Sequence, residues 1–260
     1  MSLHVGKRVF ISRDRQQAEG FIKPLEHVGI DVLGKSLITF EPWIPEKSLN
    51  VLSQISRFDW IVTTSANGVY YFFYALKQYG LSTEQLRHFK FAVVGTKTEA
   101  ELNRYGFEAD FVPEVFDAEH FSQQFLDEKK PQHVLLVKGN LSRQIIDESL
   151  NDHEVPFQNL YVYQTIVNEK AKPYIEDTYN QHDVDAWAFT SPSSIDALFE
   201  LLKVQKPYIL DLPCFCIGQT TKEHAINKGF RQTIMPQVYT LEDLAESVID
   251  FYQRKESFDE

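Results

Sequence analysis

Five short segments of this chain are rich in hydroxyls, amides and glycine. They are Thr63-Thr64-Ser65-Ala66-Asn67, Gly95-Thr96-Lys97-Thr98, Lys138-Gly139-Asn140, Thr190-Ser191-Pro192-Ser193-Ser194 and Gly218-Gln219-Thr220-Thr221. Hydroxyls in such places cap helix N-termini, at about 1 kcal/mol each, and for any single segment capping explains the composition. Five together describe a surface that can make many hydrogen bonds with an anionic ligand. The usual phosphate signatures, G-x-x-x-x-G-K-[ST] and G-x-G-x-x-G after the first strand, are absent, which disfavours a nucleotide. The histidines (His4, His27, His88, His120, His133, His153, His182 and His224) are scattered, with no H-x-x-x-H pairing. Cys214 and Cys216 supply only two ligands from a strand-like segment, so no metal site is expected. No G-x-S-x-G elbow marks a nucleophile. The carboxylate pairs Asp127/Glu128 and Asp147/Glu148 read as solvated helix faces. An enzyme with this inventory, with neither metal nor cofactor expected, must rely mostly on its substrate's own reactivity.

The elements that carry these segments repeat. Apolar runs at Val9–Ser12, Trp60–Thr63, Phe91–Val94, Val134–Val137, Trp187–Phe189 and Phe215–Ile217 suit parallel strands buried on both faces. Helix-period patterns follow them, such as Val69, Phe72, Phe73 and Leu76, or Ile195, Leu198, Phe199 and Leu202. The alternation predicts a doubly wound α/β fold. Asp59–Ser65 resembles Asp185–Ser191. Gly95, Thr98, Gly106, Phe107, Pro113, Val115 and Glu119 match Gly218, Thr221, Gly229, Phe230, Pro236, Val238 and Glu242 at one constant spacing. This duplication predicts two similar sheets with a ligand between them. Leu37–Glu41 and Leu160–Ile166 are extended and rich in β formers. They are either a two-stranded connection between lobes or the last strands of the two sheets.

Length and composition fit this picture. The 260 residues suffice for one large domain or two ordinary ones, and 43% apolar with 13% aromatic content excludes disorder. A net charge of −11 disfavours nucleic acid. No apolar run approaches the roughly 18 residues of a membrane span. Met1–Arg13 is strand-like rather than an export signal, so a cytoplasmic protein is expected.

Taken in order, the turns resemble the uroporphyrinogen-III synthase family. The resemblance rests on Ile11-Ser12-Arg13, Thr64–Val69, Val93–Thr98, Val137–Arg143, Val162–Thr165, Phe189–Ser193 and Ile217–Thr221. Asp14 stands where the family usually has proline, and Ser36 stands near a proline common before the linker strand. The resemblance implies an α/β protein of two flavodoxin-like lobes with parallel sheets. Residues 1–36 plus 167–260 would form one lobe and 41–160 the other, with 37–41 and 160–166 as linker strands. It implies cyclisation of hydroxymethylbilane, a linear tetrapyrrole with eight carboxylates, with inversion of the terminal ring and loss of water. By carry-over Tyr163 is the candidate acid for the departing hydroxyl, the alternative being an aromatic packed on a strand. The expected substrate-binding residues are Arg13, Thr64, Ser65, Asn67, Thr96, Thr98, Lys138, Gly139, Asn140, Arg143, Thr190, Ser191, Ser193, Gln219, Thr220 and Thr221. Because a −11 chain repels an octa-anion at long range, Arg13, Lys97, Lys138 and Arg143 are expected to line the binding cleft. Hinge closure, a monomeric state and transient contact with the upstream deaminase are further expectations. A non-enzymatic cytosolic two-lobed binding or sensor protein is the competing reading.

Overall fold

The computed structural model describes residues 6–203 and 208–259. His4 and the start of the Met1–Arg13 segment lie outside the described residues. Among the described residues there are ten strands: β1 (Arg8–Ile11), β2 (Asp31–Gly34), β3 (Ile38–Pro42), β4 (Trp60–Thr63), β5 (Lys90–Val93), β6 (Val134–Gly139), β7 (Phe157–Val167), β8 (Ala186–Phe189), β9 (Cys214–Cys216) and β10 (Thr233–Ile234). The helices are α1 (Glu19–His27), α2 (Glu46–Leu52), α3 (Ala66–Gln78), α4 (Thr96–Arg104), α5 (Ala118–Lys129), α6 (Ile145–Asp152), α7 (Lys172–Asn180), α8 (Pro192–Leu202), α9 (Gln219–Lys228) and α10 (Leu241–Asp259). Among the described residues no helix is long and apolar enough to cross a membrane. The chain forms two compact units, Met1–Thr39 with Ile166–Glu260, and Phe40–Thr165.

The first unit has a five-stranded sheet in the order β2-β1-β8-β9-β10, with every registered pair parallel. In chain terms this is the 2-1-3-4-5 order of flavodoxin-like folds. The continuous apolar runs are explained by helices on both faces. Phe10, Trp187, Phe189, Cys214 and Cys216 enter one core with α8, while Val9, Ile11, Ala186, Ala188 and Phe215 enter the other with α1 and α10.

The second unit repeats the plan in the order β5-β4-β6-β7-β3. Ile61, Phe91, Val93, Leu135 and Val137 pack on α3, and Trp60, Val62, Ala92, Val134 and Leu136 pack on α5 and α6. A parallel bridge from Ala92 to Phe111 occupies the place that β10 takes beside β9. The match of β4 to β8 and β5 to β9 therefore reproduces the duplication seen in the sequence. The equivalents of β6 and β7 are β1 and β2, which come from the other end of the chain. Paired aspartates mark the correspondence. Asp59 accepts the amides of Gln132 and His133 at the start of β6, and Asp185 accepts the amide of Arg8 at the start of β1.

The β7 strand differs from its expected role. Residues 157–163 pair in parallel with β6, so Leu160–Tyr163 belong to the sheet rather than to a free linker. The outer end of β7 lies beside β3. Trp43 N donates to Val162 O and Asn168 N to Leu37 O, an antiparallel pattern. One long strand thus serves as sheet member and connector. Two further strands, β2 and β10, do not register as apolar runs, because β2 begins with exposed Asp31 and ends at Gly34, and β10 has two residues.

A second correction concerns Asp147. Rather than lying on a solvated helix face, it is buried, while Asp127, Glu128 and Glu148 are exposed. Its Oδ2 lies 2.5 Å from Lys138 Nζ and its Oδ1 accepts Asn159 Nδ2 at 2.7 Å, tying α6 to β6 and β7. Removing one member leaves an uncompensated buried group. Asp147→Asn should therefore lower stability in urea unfolding by about 3 kcal/mol. The double variant Asp147→Leu/Lys138→Met should recover a good part of that loss.

Candidate functional site

In the second unit the Thr63–Asn67 and Lys138–Asn140 turns meet at Tyr163. The parallel register between β6 and β7 shifts at Lys138/Gly139, so that Gly139 faces Tyr163 and Val162 is the extra residue. Successive side chains of a regular strand point to opposite faces. Here Val162 and Tyr163 enter the same core, which the bulge permits. The Tyr163 ring then lies on Gly139 so closely that a Cβ there would stand 2.4 Å from Cζ and 2.8 Å from the hydroxyl oxygen. Tyr71 of α3 stacks on the ring at a centroid distance of 5.4 Å, and Phe40 of β3 meets it edge-on at 5.8 Å. The Tyr163 hydroxyl is 3.4 Å from Ser65 Oγ. Ser65 is the N-cap of α3 and accepts the Gly68 amide at 3.0 Å.

Asn140 is spent on holding this strand. Its amide nitrogen donates to Tyr163 O, its Oδ1 accepts Thr165 N at 2.8 Å and its Nδ2 reaches Thr165 O. Ser142 Oγ accepts the Gly139 amide. Thr64 is exposed and Asn67 half-buried on the same turn as Ser65. Thr63 turns inward, its hydroxyl without a hydrogen-bond partner.

In the first unit the ends of β1 and β8 meet. Arg13 Nε donates to Thr190 Oγ1 at 2.9 Å, and burial lowers the pKa of its guanidinium. Beside it Ser191 caps α8, accepting the Ser194 amide, and its hydroxyl lies 3.1 Å from Ser193 Oγ. The network continues through Ser194 to the buried Ser12, at 3.2 Å. Ser12 and Ser194, outside the expected set, link the two strand ends. Their signal in the sequence was only adjacency to Arg13 and Ser193.

The third pair of turns caps α4 and α9. Gly95 and Gly218 occupy their N-cap positions, and no side chain caps either helix. Thr96, Lys97, Gln219 and Thr220 are exposed there, and Gln219 bonds Glu223 in its own helix. An exposed aromatic stands over each glycine. Phe116 lies beside Gly95 and Tyr239 beside Gly218, more than half exposed in both cases. These two residues follow the matched Val115 and Val238 at the same spacing, so the duplication extends one residue further than the identities show.

Three of the expected ligands are buried in this structure. Thr98 and Thr221, at equivalent places in α4 and α9, are buried inside their own units. At the third position of these helices the side chain turns toward the sheet. Lys138 is buried against Asp147 and is not a free cation. Arg143 is exposed at the end of the β6 turn.

The contact between Gly139 and Tyr163 is testable by itself. Gly139→Ala should cost about 1–3 kcal/mol in urea unfolding through overpacking. The same change should cost much less in a Tyr163→Ala background, because the clashing ring is gone.

Comparison with known proteins identifies the family and the fold. The family model described as Uroporphyrinogen-III synthase HemD matches residues 19–246. A porphyrin biosynthesis protein HemD from Ruminiclostridium josui is 24% identical over 249 residues. The match covers 94% of this chain but 48% of that protein, so the chain spans about half of its length. A uroporphyrinogen-III synthase from Chlorobaculum parvum is 26% identical, over 94% of this chain and 98% of the relative. Two solved structures share the fold. The uroporphyrinogen-III synthetase of Helicobacter pylori has a TM-score of 0.65 at 17% identity, covering 94% of this chain and 99% of that one. A mutant uroporphyrinogen III synthase of Thermus thermophilus has 0.62 at 17% identity, covering 96% and 99%. The chain belongs to the uroporphyrinogen-III synthase HemD family.

Proposed function

We propose that this chain is a hydro-lyase that closes hydroxymethylbilane to uroporphyrinogen III with loss of water. The observation that carries the reading is the phenol of Tyr163, fixed by a bulge, a glycine and two aromatic rings beside a helix N-cap, in a chain of this family. Left free, the bilane closes head to tail without inversion. The catalytic task is therefore orientation, for which effective molarities are large. A pyrrole nitrogen supplies the electron pair that expels the terminal hydroxyl, and the Tyr163 phenol donates a proton to the departing oxygen, giving water, an azafulvenium cation and the Tyr163 phenolate. The substituted carbon of the last pyrrole attacks the azafulvenium methylene to give a spiro intermediate, the bond from that carbon to its original methylene breaks, and the released methylene joins the free carbon of the same, now inverted, ring to close the macrocycle. The proton released as the terminal pyrrole regains aromaticity balances the one given to water.

Carboxylate binding falls to turns that have donors to offer. Arg13 with Thr190, Ser191 and Ser193 forms one such group, and Thr64, Ser65 and Asn67 another. The α4 and α9 starts, with Thr96 and Gln219, lack side-chain caps and favour anions through the helix dipole. Asn140 and Gly139 act by shaping the Tyr163 strand. The same reading takes the protein as a cytoplasmic monomer. It receives its unstable substrate from the upstream deaminase by transient contact, since a short transit limits spontaneous closure. Membership of the family does not favour the competing sensor reading.

The test is to generate hydroxymethylbilane in situ with its deaminase, add this protein, oxidise, and separate the porphyrin isomers. Type III product is expected; type I product at the blank rate would refute the proposal. Tyr163→Phe should lower kcat by about 100-fold, as for loss of a positioned acid. Its melting temperature should stay close to that of the parent.

A further inference from the structure

Tyr71 carries a pattern of contacts that the proposed reaction does not yet use. It lies in α3, the helix whose N-cap is Ser65, and its ring is nearly parallel to that of Tyr163, with 22° between the planes. Its hydroxyl donates to the backbone oxygen of Phe40 at 2.8 Å. Phe40 in turn meets the edge of Tyr163. One side chain therefore joins α3, β3 and the Tyr163 ring. Tyr70 and Tyr74 pack edge-on against Tyr71 within α3, at 4.9 and 6.4 Å. Burial, followed by Tyr70, Glu41, Tyr163 and Tyr74, raises the Tyr71 pKa, so the phenol keeps the proton that it donates to Phe40.

Packing holds the Tyr163 ring, while hydrogen bonding contributes little to the placement of its hydroxyl. Its only side-chain hydrogen-bond contact among the described residues is the long 3.4 Å approach to Ser65. The ring is supported on one side by the Gly139 backbone, and its position on the other side depends on the ring stacked against it. A neutral hydrogen bond to the strand is worth about 1 kcal/mol net. A displacement of about 1 Å at a proton donor can cost about 100-fold in rate. The weak bond thus controls a large effect through geometry.

We propose that Tyr71 is a positioning residue for the reaction. Its hydroxyl, anchored on the Phe40 carbonyl, holds its ring as the surface against which the Tyr163 phenol is aimed. The inference rests on the reading of Tyr163 as the proton donor and adds a residue to it.

The experiment compares steady-state kinetics with bilane generated in situ for four variants. Tyr71→Phe keeps the stacking ring and loses the anchor. It should lower kcat about three- to tenfold with KM within about twofold, and its melting temperature should be close to that of the parent. Tyr71→Leu removes the stacking surface as well and should lower kcat further. Tyr105→Leu removes a comparable stack on α3, that of Tyr105 on Phe73 at 4.0 Å, and should leave kcat unchanged. In a Tyr163→Phe background, Tyr71→Phe should produce no additional loss. Normal kcat in both Tyr71 variants overturns the inference while leaving the Tyr163 reading intact. So does a loss shared with Tyr105→Leu, or one that persists without the Tyr163 hydroxyl. Normal kcat in Tyr163→Phe overturns that reading and this inference with it.

Discussion

The geometry of the second unit depends on one close approach, the ring of Tyr163 on the backbone of Gly139. No residue with a Cβ fits there without movement, because the added atom would fall well inside van der Waals contact of the ring. The bulge that brings the two residues opposite each other breaks the alternation of β7 at Val162. A buried strand tolerates this break only if the surrounding chain replaces the disturbed pairing. Asn140 does so, bonding to Tyr163 and Thr165 through three contacts. Below it, the Lys138–Asp147–Asn159 network clamps the regular part of the same two strands. The lysine and asparagine of this turn are therefore best understood through the position of the aromatic ring, even though their types suggest a ligand.

Most of the scaffold was legible because burial on both faces writes itself as continuous apolar runs. The β1, β4, β6 and β8 strands are of this kind. The duplicated glycines and aspartates fixed the equivalence of the units, since each has a steric or hydrogen-bonding cause. Gly106 and Gly229, for instance, both have positive φ at the ends of α4 and α9. The edge strands β2 and β10 were not legible, the first because its burial is mixed and the second because it has two residues. The dual part played by β7 was hidden for another reason. The apolar pattern reports which side chains are buried and not which neighbour supplies the backbone partner, so sheet and connector looked alike.

The site was legible in its turns and less so in its side chains. Ser65, Ser191, Arg13 and Thr190 occupy strand ends and helix caps, where residue type and local structure agree. Thr98 and Thr221 have equally suggestive types, but the third residue of a helix that packs on a sheet points inward. Helical phase rather than chemistry decides their burial. Tyr71, Phe116 and Tyr239 carried no signal as aromatics in an aromatic-rich chain. Their significance lies in what they touch: another ring in one case and a bare helix N-cap in the others.

The burial of Lys138 sharpens the electrostatic problem that the proposed polyanionic substrate poses for a chain with net charge −11. A lysine engaged by a buried carboxylate contributes almost no field outside, because the pair is nearly neutral at a distance. Arg13 is different in kind. Its partner is the hydroxyl of Thr190, so its positive charge is not cancelled by that contact, and partial burial lowers its hydration. A cation already stripped of part of its water loses less on meeting a carboxylate, and the attraction is stronger in the lower local dielectric. Uncapped helix starts add partial positive charge without adding any net charge. Local dipoles and one prepared guanidinium act over a few ångströms, within the screening length of physiological salt. A negative overall charge and affinity for an anion are therefore compatible in the same chain, provided that recognition is short-ranged.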